Sequence, residues 1–323
     1  MSKPQSGVTR RLISMAIGAT LVAGSALVFP TPALAADCPS FGNRFTKLTG
    51  DWDGDGVDTP VLVDEESRWA MRNSNAGGGP DLCFAYGTRG DIPVVGDWDG
   101  DGIDTVGVVR PSADWRQFVW HLRNSNTGGG GDVSFVYGPR IGTSALIAIN
   151  TPVTGDWDGD GDTNIGVVEY TETSLRWHLR NTNSAGADSR VFNYGVARYS
   201  GSPIAFRNDD VPVVGDWDGN GTDTIGVVQP LDANNNWALR NSNTAGAANV
   251  AFAFGDSRPA LTGDWDGNGI DTPGYVWLNN LGVDANGMTN YSVRWELRNA
   301  NSAGGAHVRF AYGRELWDLR PPR

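Results

Sequence analysis

The chain has 323 residues, including 44 glycines and 13 tryptophans, and 39% of its side chains are hydrophobic. Abundant Gly, Asn, Asp and Thr, without the Ala–Glu–Lys–Leu blend of long helices, indicate short strands joined by tight turns. A net charge of −12 disfavours nucleic acid and anionic lipid as partners.

Residues 1–35 read as a signal peptide. Lys3, Arg10 and Arg11 give a positive start, an apolar run follows from Leu12 to Phe29, and Ala33-Leu34-Ala35 matches a small-x-small cleavage pattern. A membrane anchor is the competing reading, opposed by the Phe29-Pro30-Thr31-Pro32 break and by the lack of a second apolar span. The Arg10-Arg11 pair fits either twin-arginine or ordinary secretory export. The mature chain is expected to be secreted and extracellular, with cell-wall association as one extension. Cleavage removes those three cations and no acid, which takes the charge from −12 to −15. In an oxidising compartment Cys38 and Cys83 are expected to form a disulfide that pins the leader, residues 36–44, to the first repeat; two free thiols are the alternative.

From residue 45 to 313 one unit recurs five times. Gly50-Asp51-Trp52-Asp53-Gly54-Asp55-Gly56-Val57-Asp58-Thr59 returns at 96, 155, 215 and 263, with aspartate spacings of 46, 59, 60 and 48 residues. Each copy is followed by a Trp-x-(Leu/Met)-Arg-Asn-(Ser/Thr/Ala)-Asn tail, at Trp69, Trp120, Trp177, Trp237 and Trp295. A Phe-x-(Tyr/Phe)-Gly element closes each unit, at Phe84, Phe135, Phe192, Phe252 and Phe310, although Phe192 continues Asn193-Tyr194-Gly195. In the second unit, alternating apolar and polar residues mark strands at 93–98, 106–109, 120–123 and 133–137. Four strands per unit of about 40–60 residues is the pattern of a β-propeller blade. The fold class is therefore all-β: a β-propeller of five four-stranded blades, expected to be closed by the N-terminal strand completing the last blade, with 314–323 as a C-terminal tail. The segments between units differ in length (8, 16, 19 and 7 residues) and unit five has a longer hairpin at 277–291. Such insertions map to loops, either as neutral drift or as a binding side.

The five Gly-Asp-Trp-Asp-Gly-(Asp/Asn)-Gly turns resemble the FG-GAP/VCBS-type repeats of integrin-α-like propellers. The tail elements are similar to a variant found in secreted actinobacterial proteins. The resemblance implies the propeller fold and leaves function open, since such repeats occur in adhesins, lectins and accessory domains.

The turns also carry cation chemistry. Calcium takes six to eight oxygens, and alternate acids around a glycine turn supply them. The expected ligands are Asp51, Asp53, Asp55 and Asp58 in copy one, and Asp97, Asp99, Asp101 and Asp104 in copy two. Copy three offers Asp156, Asp158, Asp160 and Asn164. Copy four offers Asp216, Asp218, Asn220 and Asp223, and copy five Asp264, Asp266, Asn268 and Asp271. Position 12 is never Glu, so these are not EF-hands. The resembled repeats close on Asp at position 9, whereas here the acid stands at position 8 in four copies; copy three has Thr163 there and Asn164 at position 9, and is expected to close differently. An ion-free array of Asx-turns is the alternative.

Both regular tryptophan sets are expected in the core, with sugar stacking as the other reading. Trp115, Trp277 and Trp317 fall outside the pattern and are the ligand-binding candidates. Arg72, Arg123, Arg180, Arg240 and Arg298 are expected to pair with repeat aspartates. No Ser–His–Asp, Cys–His or His-rich arrangement is visible, so no catalytic residue is assigned. The leading functional expectation is a secreted, non-catalytic, calcium-stabilised propeller that binds a glycan or a cell-surface protein. The alternatives are a propeller hydrolase or lyase using Asp114, Asp209, Asp210 or Glu172, and a structural spacer.

Overall fold

The computed structural model describes residues 44–114, 116–140, 150–197, 209–230, 235–255, 259–284 and 287–317. The signal peptide, Cys38 and Trp115 lie outside these residues, and Trp317 is described by its backbone only. Among the described residues every regular element is a strand, and no helix is long and apolar enough to cross a membrane.

Twenty strands form five separate four-stranded antiparallel sheets. Blade 1 is β1 (Phe45–Gly50), β2 (Thr59–Asp64), β3 (Arg68–Met71) and β4 (Leu82–Ala85). Blade 2 is β5 (Ile92–Gly96), β6 (Thr105–Pro111), β7 (Phe118–Leu122) and β8 (Val133–Tyr137). Blade 3 is β9 (Thr151–Gly155), β10 (Asn164–Tyr170), β11 (Leu175–Arg180) and β12 (Arg190–Asn193). Blade 4 is β13 (Val211–Gly215), β14 (Thr224–Pro230), β15 (Asn235–Leu239) and β16 (Val250–Ala253). Blade 5 is β17 (Ala260–Gly263), β18 (Thr272–Val283), β19 (Thr289–Leu297) and β20 (Val308–Trp317). The arrangement is a five-bladed β-propeller.

The N-terminal strand does not complete the last blade. It pairs with β2 along its whole length, Phe45 opposite Asp64 through Gly50 opposite Thr59. The reason is local: the acidic turn is the hairpin between those two strands, so every inner strand belongs to the turn that follows it. Blade 5 has all four strands of its own, and β20 runs past Gly313 to Trp317, into the segment read as a tail. The ring closes through side chains and loops instead. Tyr312 Oη donates to Ala70 O at 2.9 Å, Thr49 Oγ1 donates to Thr262 O at 2.8 Å, and Lys47 pairs with the buried Glu315.

Alternation places the core as expected. Along β7, Phe118, Trp120 and Leu122 are buried while Val119 and His121 are part-exposed. All ten regular tryptophans are buried, at 7% exposure or less. The tail set is held at both ring and nitrogen. Trp69 stacks on Phe84 with centroids 6.4 Å apart, and its Nε1 donates to Tyr86 O at 2.9 Å; Trp237 and Trp295 repeat this with Phe252 and Phe310. These rings are core, so sugar stacking on either set is overturned.

The topology sorts the loops. Inner strands run into the acidic turns, so all five turns and all five Arg-Asn loops lie at one end of the barrel of blades, the turn end. The hairpins between second and third strands and the linkers between blades, among them every segment of unequal length, leave and re-enter the sheets at the other, the linker end. Five inner strands encircle the axis, each touching its two neighbours and β17 touching β1. They enclose a cavity of about 260 Å³ lined by Lys47, Thr49, Val95, Thr154, Val214 and Thr262, among others.

Candidate functional site

Each acidic turn is built by its first aspartate. Asp51 Oδ1 accepts from the amides of Gly54 at 2.8 Å and Asp55 at 3.2 Å, and its Oδ2 accepts from Gly56 at 2.7 Å. Asp55 Oδ1 then accepts from Val57 N at 2.9 Å. Asp216 and Asp264 repeat the same three bonds, with Asn220 and Asn268 capping positions 222 and 270. The glycines at positions 4 and 6 have φ between 70° and 97° in all five copies, a conformation that a Cβ opposes.

The structure brings together positions 1, 3 and 5 in the first three copies. Asp51–Asp53–Asp55, Asp97–Asp99–Asp101 and Asp156–Asp158–Asp160 each offer one oxygen, all within 4.8 Å of one another. Oxygens that share one calcium at 2.3–2.6 Å lie at most about 5 Å apart, so these sets fit the ion. Repulsion is visible in Asp53, whose carboxyl is raised above its ordinary value by burial and by the charges of Asp55 and Asp51.

The position-3 acid has a further partner that the sequence did not disclose. Asn124, Asn181, Asn241 and Asn299, the first asparagines of the tails, donate to Asp99, Asp158, Asp218 and Asp266 at 2.6–2.8 Å. The second asparagines, Asn75, Asn126, Asn183, Asn243 and Asn301, each donate to the carbonyl of position 8 at 2.8–2.9 Å. The Oδ1 atoms of Asn181, Asn241 and Asn299 are buried and accept no hydrogen bond.

Position 8 is not gathered with its own turn. It reaches the neighbouring blade. Asp104 N donates to Asp51 O at 2.7 Å, and Asp51 N donates to Asp104 Oδ2 at 2.9 Å. The same two-bond clasp joins Asp223 to Asp156, Asp271 to Asp216, and Asp58 to Asp264, the last across the closing seam. At the remaining joint Thr163 takes the acid's place, donating from N to Asp97 O at 2.6 Å and accepting from Asp97 N on Oγ1 at 3.0 Å. Five clasps thus link five blades. The close approach requires glycine before each turn: a Cβ on Gly50 would stand 2.8 Å from Asp104 Oδ2 and from the Trp52 ring. Burial of these carboxyls, followed by charge repulsion within the group, raises Asp58 and Asp271 well above the usual range. Burial likewise pushes Asp104 and Asp223 up to about 7.

Position 7 packs on the position-4 glycine of the preceding blade. That contact is Ile103 on Gly54, Thr222 on Gly159, Ile270 on Gly219 and Val57 on Gly267. In copy three the residue is Asp162, which lies against Gly100 and adds a carboxylate beside turn two. Its carboxyl is raised by burial and by Asp160, Asp97, Asp156 and Asp99.

The repeat arginines do not pair with the turn aspartates. Arg72 donates from Nε to Ala76 O and from Nη2 to Gly77 O, and Arg123, Arg180, Arg240 and Arg298 hold their own loops likewise. The loop's own carbonyls or hydroxyls lie within seven residues of the arginine along the chain, nearer than any turn acid, and they satisfy its fork of donors.

Along the second and third strands the blades differ. Trp277 is half-buried and donates from Nε1 to Glu296 Oε1 at 3.1 Å; Tyr275 Oη and Arg309 Nε converge on Glu296 Oε2 at 2.9 and 3.1 Å. In blade 3, His178 stands between Asp188 at 3.0 Å and Glu169 at 3.4 Å, and Tyr137 Oη donates to Asp188. The acids named for a catalytic alternative lie on linker-end turns of blades 2 and 3 and in the linker before blade 4. Asp114 is on the β6–β7 turn, paired with Arg140, and Glu172 is on the β10–β11 turn. Asp210 accepts from Val196 N in the linker before β13, beside Asp209.

The raised carboxyls give a signed prediction for stability measured in chelator. With a folded value near 7, against an ordinary value of 3.8, Asp104 holds its proton in the folded chain after the unfolded chain has lost it. Stability from this group is full below about pH 4 and is lost as pH rises through about 7. Asp104→Asn keeps an acceptor for the Asp51 amide and removes the charge, so its melting temperature should fall less between pH 5 and pH 8 than that of the unsubstituted protein. Asp104→Ala should lower stability by about 1–3 kcal/mol at both pH values, by leaving that amide unpaired. Identical pH slopes for Asp104→Asn and the unsubstituted chain would refute the account.

Comparison with protein-family profiles and with curated proteins returns no match. The architecture itself is plain: a five-bladed propeller whose blades are joined at the turn end by a ring of acid-to-amide clasps.

Proposed function

We propose that this is a secreted, non-catalytic β-propeller of the FG-GAP/VCBS type, stabilised by calcium and binding a glycan or a cell-surface protein at its linker end. The observation that carries the reading is the division of the molecule. The turn end repeats one hydrogen-bond pattern five times, while every segment of unequal length leaves and re-enters the sheets at the opposite end. A binding surface needs local difference, and a fastener needs repetition.

Calcium would be held by the acids at positions 1, 3 and 5, best at Asp51–Asp53–Asp55 and Asp97–Asp99–Asp101, with Asp162 adding charge at the second. When bound it supplies two positive charges to carboxylates that otherwise repel. The orphaned Asn181, Asn241 and Asn299 oxygens beside the position-3 acids support a cation at the later turns. The export signal supports a Cys38–Cys83 disulfide, which would tie the leader to β4.

Three measurements test these statements on mature protein. Calcium at about a hundred times its dissociation constant should raise the melting temperature by roughly 5 °C or more, and chelation should reverse the rise. No difference between calcium and chelator sinks the ion. Non-reducing mass spectrometry should find a mass lower by two hydrogens than that of the reduced chain; two alkylatable thiols sink the disulfide. On a glycan array with calcium present, binding to at least one wall or plant polysaccharide is expected. Silence there, together with no binding to whole cells, ends the binding reading.

A further inference from the structure

Position 5 of the acidic turn is aspartate in copies one to three and asparagine in copies four and five, and each asparagine is followed by glycine: Asn220-Gly221 and Asn268-Gly269. The side chain makes the same bond in all five. Asp55, Asp101 and Asp160 each accept on Oδ1 from the amide two residues on, at 2.9–3.1 Å, and Asn220 and Asn268 accept from Thr222 N and Ile270 N at 2.9 Å. This Asx-turn folds the carboxamide back over the peptide bond that follows it. Both asparagines are exposed, and a Cβ on Gly221 or Gly269 would meet nothing within 4 Å, so water reaches the carboxamide and no side chain screens it.

The turn surrounds that carboxamide with the parts of an acyl transfer. The nucleophile is the Gly221 nitrogen. Its N–H donates to Asp216 Oδ2 at 2.6 Å, which places a carboxylate where a general base must stand. The electrophile is Asn220 Cγ, and Thr222 N–H already donates to the oxygen on which negative charge develops during attack. Copy five repeats the set, with Gly269 N on Asp264 Oδ2 at 2.6 Å and Ile270 N on Asn268 Oδ1.

We propose that Asn220 and Asn268 are sites of self-catalysed deamidation, which converts position 5 of turns four and five to aspartate. The Gly221 nitrogen yields its proton to Asp216 and bonds to Asn220 Cγ. The Cγ–Nδ2 bond then breaks, and Nδ2 leaves with that proton as ammonia. The product is a succinimide ring, which one water opens. Attack of water at Cγ breaks the new bond and gives aspartate, while attack at the main-chain carbonyl gives isoaspartate and a lengthened backbone. Aspartate keeps the bond to the Thr222 amide in the geometry of copies one to three, so it is the product the turn accommodates. Turns four and five thereby gain the acid that the other three encode. The reaction consumes only water and depends neither on a bound cation nor on a ligand at the linker end.

The test is peptide mapping by mass spectrometry of the folded mature protein, held in chelator at neutral pH in heavy-oxygen water. Synthetic peptides spanning residues 214–224 and 262–272 are held beside it under the same conditions. Both sites should gain the mass of an amide-to-acid exchange with one heavy oxygen, at least about tenfold faster in the folded protein than in the peptides. Fragmentation should assign the product as aspartate. Asp216→Asn removes the base and leaves an acceptor for the turn amides. It should slow conversion of Asn220 by about tenfold or more and leave Asn268, in the same molecule, at its original rate. Asparagine retained at both sites, or conversion no faster in the folded protein than in the peptides, overturns the proposal. An unchanged rate at Asn220 in Asp216→Asn overturns the self-catalysis, and isoaspartate as the main product overturns the gain of an acid at position 5.

Discussion

The ring depends on the clasp between position 8 of one blade and position 1 of the blade before it. Each joint has one main-chain bond and one bond from an amide to a side-chain acceptor, and the fifth joint returns Asp58 to Asp264 across 206 residues. The clasp brings carboxyls into a dense region where they feel one another, which is why they hold protons more tightly than surface acids. Thr163 shows that the joint needs an acceptor and not a charge: its hydroxyl makes the same bond at 3.0 Å. With a threonine there, one of the five joints has no acid at position 8.

The clasp also accounts for the displaced acid. In the resembled repeats the turn closes on Asp at position 9. Here position 9 is threonine in four copies, and its hydroxyl donates to the carbonyl of the glycine that opens its own turn, as Thr59 does to Gly50 at 3.3 Å. Position 9 therefore closes the hairpin and position 8 joins the blades. An aspartate moved to position 9 would point back into its own turn and leave the neighbouring amide without its acceptor.

Much of the fold was legible because it is local and repeated. Trp120 and Leu122 alternate with His121 within three residues, and the glycines of the turn declare its bend. The joints were not legible, since Asp51 and Asp104 are 53 residues apart and nothing in either neighbourhood names the other. The arginines misled for a related reason. Charge suggests a partner of opposite sign, but Ala76 O and Gly77 O lie closer along the chain than any turn acid and satisfy Arg72 first. The closing strand was misjudged because a cyclic repeat can be cut at any point, and only the pairing of Phe45–Gly50 with Thr59–Asp64 fixes the frame. For the acidic turns themselves, the sequence showed which oxygens come together at positions 1, 3 and 5 but not that the tail asparagines would address position 3.

Departures from the repeat are physically linked at the seam between blades 4 and 5. At three other seams a tyrosine crosses to a backbone carbonyl of the next blade: Tyr86 to His121, Tyr194 to Ala238 and Tyr312 to Ala70. Blade 4 has Phe254 there instead, which lacks the hydroxyl. Tyr275 fills the contact from the opposite side, edge-on to Phe254 with centroids 5.3 Å apart. Its own hydroxyl then needs an acceptor, and Glu296 occupies the slot where the other blades have Ala or His. Glu296 in turn holds Trp277 and Arg309, so the loss of one hydroxyl in blade 4 is connected by packing and hydrogen bonds to an aromatic, cationic surface on blade 5. A regular ring tolerates such a chain of substitutions on its second and third strands because its clasps lie on the acidic turns and are left untouched.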